Sequence, residues 1–169
     1  FNTLIGTGAG LGASGQSNSQ NTAVGYASLN VITTGSNNVA MGMNSLRALT
    51  SGTENVGIGK DSMYDADTAS GVVAIGAESA YNITSGSESV AIGKQALYTA
   101  TTVGANTAIG YQALKLNTAG SNTAVGHSSL LNNSSGTENV AMGYASGDTV
   151  TTGTKNTCVG AVTDISSAT

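Results

Sequence analysis

The sequence predicts an all-β chain: a parallel β-solenoid or β-roll of about ten 17-residue coils, assembled with copies of itself. Three observations carry this reading. A short string ending in glycine recurs at almost constant spacing along the whole chain. Each occurrence alternates with period two and is rich in β-branched residues, the signature of a strand. The composition suits neither a compact globule nor a disordered chain: of 169 residues 24 are Gly, none is Pro or Trp, one is Phe, and 8% are charged. A soluble domain ordinarily carries about 25% charged residues, whereas disorder calls for high net charge or few β-branched residues, and the net charge here is −4.

Aligning the strings places glycines at Gly6, Gly25, Gly42, Gly59, Gly76, Gly93, Gly110, Gly126, Gly143 and Gly160. After the first gap of 19 residues the steps are all 17, except for one of 16 between Gly110 and Gly126. Residues 1–169 therefore read as one repeat domain of ten copies without a linker. The chain opens on Phe1, which suggests a processed product or a piece of a longer chain.

Each copy starts with its strand. Three residues before the glycine the column is Thr or Val throughout, from Thr3 to Thr157. One residue before it stand Ile, Val or Met, from Ile5 to Val159. Between them the column is stripped to small residues: Ala23, Ala40, Gly57, Ala74, Ala91, Ala108, Ala124, Ala141 and Cys158, with Leu4 the exception. The Thr/Val column is taken to be interior. The small face permits close approach, either to the opposite wall of a flattened coil or to an identical chain.

Next comes a short apolar segment, with Leu29, Leu46, Met63, Ala80, Leu97, Leu114 and Leu130 four residues after the glycine; Gly147 and Asp164 break the column. Over four residues periodicity does not distinguish a strand from a helical turn. A turn closes each copy, marked by Gly35, Gly52, Gly86, Gly120, Gly136 and Gly153. A 17-residue unit cannot close its own core, so copies must stack. At the ~4.8 Å strand spacing, ten coils make a rod roughly 45 Å long. Stacking also aligns Asn2, Asn21, Asn38, Asn55, Asn106, Asn122, Asn139 and Asn156, interrupted by Val72 and Ser89. An amide ladder is expected there, although Asn also suits the turn before a strand.

Other function classes lose ground on simple counts. Arg47, Lys60, Lys94, Lys115 and Lys155 are spread evenly and form no patch for a phosphate backbone, so no nucleic-acid partner is expected. No run approaches the ~18 apolar residues of a membrane span, and none resembles a signal peptide. One cysteine excludes an internal disulfide, and Cys158 takes the place of Ala as a buried spacer. Gly10-Leu11-Gly12-Ala13-Ser14-Gly15 matches a dinucleotide-binding pattern. The helix and acidic residue that such a site needs do not follow. His127, the only histidine, lies in a column expected to be exposed, with no acid placed beside it. Asp61, Asp65 and Asp67 could hold Ca²⁺, but no other copy repeats them. Three glycosylation sequons, at Asn82, Asn132 and Asn133, are of a kind that arises by chance in so Asn- and Ser-rich a chain. No catalytic residue, cofactor or metal is expected, and the chain is not read as an enzyme.

One set of side chains stands out as a ligand-contact strip. Tyr64, Tyr81 and Tyr98 stand five after the glycine in three consecutive copies, with Arg47 and Lys115 before and after them in that column. Aromatic faces beside hydrogen-bond donors suit sugar rings, and packing against neighbouring chains or each other is the alternative role.

The segment Asn106-Thr107-Ala108-Ile109-Gly110-Tyr111-Gln112-Ala113-Leu114, with Asn117-Thr118-Ala119-Gly120-Ser121-Asn122 after it, resembles the tandem repeats of bacteriophage tail fibres. Ser89-Val90-Ala91-Ile92-Gly93-Lys94-Gln95-Ala96 is similar to the head repeats of trimeric autotransporter adhesins, which form left-handed parallel β-rolls. The resemblance implies a homotrimeric rod on a virion surface or outside a cell, used in attachment; the tyrosine strip adds a host-surface glycan as an expected partner besides the chain itself. Alternatives are a self-assembling extracellular filament, a bacterial adhesin head and, further off, an ice-binding solenoid. That last reading needs flat Thr rows on the outside.

Overall fold

A computed structural model describes residues 1–12 and 17–163. Its elements are ten three-residue strands: β1 Thr3–Ile5, β2 Thr22–Val24, β3 Val39–Met41, β4 Val56–Ile58, β5 Val73–Ile75, β6 Val90–Ile92, β7 Thr107–Ile109, β8 Thr123–Val125, β9 Val140–Met142 and β10 Thr157–Val159. They form one sheet in sequence order, every neighbouring pair parallel. Thr22 is level with Val39, Ala23 with Ala40 and Val24 with Met41, and the same register holds at every other pair. The chain is a β-solenoid in which identical repeat positions become neighbours along one axis, and the described residues include no helix.

The small column takes the first of its two expected places, against the opposite wall of the coil, but the Thr/Val column lies opposite to the expectation. The small column points inward: Ala23, Ala40, Ala74, Ala91, Ala108, Ala124 and Ala141 are fully buried. The Thr/Val and Ile/Val/Met columns point outward, with Met41, Ile75, Ile109, Val140, Met142 and Val159 between 36% and 64% exposed. Reading the Thr/Val column as interior is therefore wrong. The reason is the thinness of the coil. Even a Cβ on Gly57 would stand 2.8 Å from Ser45 Oγ and 3.0 Å from Leu46 Cγ, so the opposite wall leaves room for a methyl at most. That wall supplies the bulk of the core: Leu29, Leu46, Met63, Leu97, Leu114 and Leu130, with Ile32, Leu49 and Ile83 at the next corner.

The segment after each glycine is neither a strand nor a helical turn. Two residues past the glycine, Ala27, Asn44, Asp61, Glu78, Gln95, Gln112, Ser128 and Ala145 have φ of 48–59°, and the leucine column two further on has φ of 47–53°. A left-handed L-residue costs about 1–2 kcal/mol, so something must hold it. The hydrogen bonds show what. Gln95 N donates to Ala77 O of the preceding coil, whereas Leu97 N donates to Ala113 O of the following one. Each left-handed residue turns its N–H towards a neighbouring coil, and the leucine side chain is sealed in the core at the same time.

Buried polar side chains bind the coils further. Asn38 donates from N and Nδ2 to Asn21 Oδ1 at 2.9 and 3.1 Å, and Asn55 does the same to Asn38 at 3.0 Å for both. The pattern recurs from Asn122 to Asn139 to Asn156. At the interruptions, Val72 N still bonds Asn55 Oδ1, and Ser89 Oγ receives Asn106 N. Asn117 in the 16-residue coil, and Asn133 in the coil after it, occupy a corner held elsewhere by Ile32, Leu49, Ala66, Ile83, Ala100 and Val150. Asn117 Oδ1 accepts from both Asn122 and Asn133 at 3.3 Å. Among the described residues no buried side-chain nitrogen or oxygen lacks a partner.

Candidate functional site

The strip predicted from the 17-residue phase forms. Tyr64, Tyr81 and Tyr98 follow β4, β5 and β6 at the same offset, so the coil spacing sets their separation. Ring centroids are 5.1 Å apart from Tyr64 to Tyr81, with planes 5° apart, and 5.2 Å from Tyr81 to Tyr98, at 22°. Arg47 lies over the other face of Tyr64, its guanidinium carbon 5.3 Å from the centroid, and Nη1 donates to the Tyr64 hydroxyl at 3.0 Å. Lys115 stands at the same repeat position one coil beyond Tyr98. Because the faces cover one another along the axis, the strip offers ring edges and phenolic oxygens outward.

A polar column runs beside the rings. Asn44 Nδ2 bonds Asp61 Oδ1 at 2.9 Å, Gln95 Nε2 bonds Glu78 Oε2 at 2.7 Å, and Gln112 Nε2 bonds Gln95 Oε1 at 2.8 Å. One member of that column, Asp61, bears weakly on the Tyr81 phenol. Its pKa is raised, first by burial and then by the negative charge of Asp65, by Tyr64 and Tyr98, and by Asp61.

The three aspartates considered for Ca²⁺ do not converge. Asp61 is engaged by Asn44 and by Lys60, whose Nζ lies 3.5 Å from Oδ2, while Asp67 accepts from Thr50 Oγ1 at 2.5 Å. No group of three acidic, His or Cys side chains among the described residues is placed to hold a metal ion. In the glycine-rich string, Gly10 and Gly12 donate their N–H groups to Ser28 O and Asn30 O of the next coil. Ala13, Ser14 and Gly15, like Asp164, lie outside the described residues. Cys158 is buried in the small column. Of the sequon asparagines, Asn133 is buried and Asn132 exposed.

A second aromatic ladder escaped the sequence reading. His127 is stacked between Tyr111 and Tyr144, with centroid separations of 4.8 and 5.2 Å. Its Nδ1 lies 2.9 Å from Ser128 Oγ. These residues follow β7, β8 and β9 directly after the glycine, in the column expected to be exposed. The 17-residue phase that aligned the tyrosine strip contains this ladder too. Its signal was the same, but a mixed column of Tyr, Lys, Met and His hides a local aromatic run.

The outer face of the sheet forms a continuous uncharged surface along the ten strands. Its two outward columns hold 20 side chains, all Thr, Val, Ile or Met, and none is charged. Tyr26, Met43, Tyr111 and Tyr144, each more than 40% exposed, extend it past the glycines. Compared with protein-family models, curated proteins and solved structures, the chain matches none.

Proposed function

We propose that the chain is a structural attachment rod, most like a bacteriophage tail-fibre shaft, built from several copies joined through the outer sheet face. The uncharged outer face of Thr, Val, Ile and Met carries this reading. Ten strands at ~4.8 Å and a width of four residues at ~3.3 Å make roughly 600 Å² per copy. Two such faces approach the size of a specific interface, above about 1,000 Å² in total, and a lone soluble chain rarely shows so large an apolar patch. Three copies around one axis is the arrangement implied by the repeat resemblance, and the setting so implied is a virion surface or the exterior of a cell.

The experiment is a mass measurement in solution on the wild type and on the double variant Ile75→Lys, Ile109→Lys. The wild type is expected as a trimer, and the variant as a monomer with an unchanged β-type circular dichroism spectrum. A wild type that is monomeric at all concentrations overturns the assembly, and failure to attach to any cell surface overturns the attachment role.

One observation favours a second reading. Five of the ten residues in the outward Thr/Val column are Thr, so the argument that kept ice binding remote, an interior column, no longer stands. An ice-shaping assay decides it: a monomer that shapes ice supports the second reading, and an inert oligomer supports the rod.

A further inference from the structure

We propose that the tyrosine strip takes a linear, extended β-1,4-linked glycan, laid along the rod axis with one sugar to each coil from Arg47 to Lys115. This deepens the attachment reading and rests on it. The spacing of the rings comes first. They repeat at 5.1 and 5.2 Å, and a fully extended β-1,4-linked chain advances by nearly the same step per sugar. Along the axis the coils repeat at ~4.8 Å, so a polymer of that kind drifts by only about 0.3–0.4 Å per sugar and keeps within about 1.5 Å of register over the five positions, whereas a coiled α-1,4-linked chain meets the strip once and curves away.

The orientation of the rings points the same way. With their faces closed against each other and against Arg47, they cannot sandwich one flat ligand. A row of ring edges and hydroxyls serves an edge-on chain that offers hydroxyl groups at regular intervals. Beside them, Glu78, Gln95 and Gln112 are linked in the same 17-residue register. Each glutamine amide has two N–H donors and uses one of them in that ladder, so Gln95 and Gln112 each keep one for a sugar oxygen in the last two coils of the strip. Asp61 and Asp65 bear on Tyr81 from neighbouring positions. Their negative charge disfavours a polyanionic glycan and leaves a neutral one as the fitting class.

The test measures binding of cello-oligosaccharides (β-1,4) and malto-oligosaccharides (α-1,4) of increasing length to the assembled protein. Affinity for the β-linked series is expected to climb with length and level off at five sugars, matching the five positions Arg47, Tyr64, Tyr81, Tyr98 and Lys115. The α-linked series is expected to show no such climb. Tyr81→Ala is expected to weaken binding about tenfold, roughly one strong contact. Tyr81→Phe keeps the stack and the fold, and is expected to lose part of that affinity with the hydroxyl. Equal binding of both series, no dependence on length, no binding at all, or unchanged affinity in Tyr81→Phe and Tyr81→Ala overturns the proposal. If the wild type is a trimer that attaches to cells yet ignores the β-linked series, this inference fails while the rod stands. A monomer that binds the series sinks the rod alone.

Discussion

Gly76 shows how little freedom single positions have. Its φ is 128°, and a Cβ there would stand 2.7 Å from the carbonyl carbon of Gly93 in the next coil. Gly76→Ala therefore meets both a strained backbone and a carbonyl that cannot withdraw without breaking the ladder. A loss above about 3 kcal/mol is expected, by analogy with severe core disruptions, read as a lowered urea midpoint. Glu138 is the useful contrast: it is exposed, with φ of 58°. Glu138→Gly removes the left-handed penalty at some cost in unfolded-chain entropy, so a midpoint unchanged or raised by up to about 1 kcal/mol is expected. Tyr81 adds a pH dependence of definite sign. Its phenol is raised in the fold, by burial first and by Asp65 next, so the folded state favours the protonated form. Below the ordinary tyrosine pKa of about 10 nothing changes. Above it the unfolded chain ionises first and stability falls until the folded phenol titrates as well. Tyr81→Phe is expected to flatten that alkaline loss in thermal melts run across the range.

At the scale of the element, the coil is the unit that can be added or removed. Stacked repeats contribute stability roughly as a sum of units and their interfaces. Deleting residues 77–93, one complete 17-residue step between Gly76 and Gly93, is expected to leave a folded solenoid with a moderately lower melting temperature. Deleting a single residue within that step leaves one coil short at its corner while later copies keep their own pattern, and a larger fall in melting temperature than for the whole-coil deletion is expected. The natural 16-residue coil tolerates its missing residue because Asn117 fills the shortened corner with a buried amide that bonds Ala119 O and accepts from Asn122 and Asn133. The strands, their parallel order and the aligned tyrosines were legible in the sequence, since an in-phase repeat converts spacing directly into neighbourhood. Which strand face is inward was not legible, because both columns are apolar and the larger looked like the core. Ala91 lies inside because the facing wall already carries the leucines. The left-handed leucines were hidden for a related reason: a propensity argument sees the backbone cost, and the inter-coil hydrogen bond that offsets it exists only after stacking.

Across the whole molecule, cohesion comes from backbone ladders, buried amides and apolar packing, with almost no contribution from charge. Among the described residues one ion pair is found, Lys60 with Asp61, and the Lys60 side chain is 59% exposed. Exposed pairs of this kind contribute at most about 1 kcal/mol. Salt screens interactions beyond about 10 Å at 0.1 M and about 3 Å at 1 M, so raising ionic strength across that range has little to remove. The melting temperature of the solenoid is therefore expected to stay nearly constant with added sodium chloride. Association through the uncharged sheet face is expected to hold or tighten under the same change. A rod whose copies were joined by complementary charges would come apart instead. Sedimentation at low and high salt separates the two cases: dissociation at high salt would place the joint on the scattered lysines and acids, away from the Val and Ile columns.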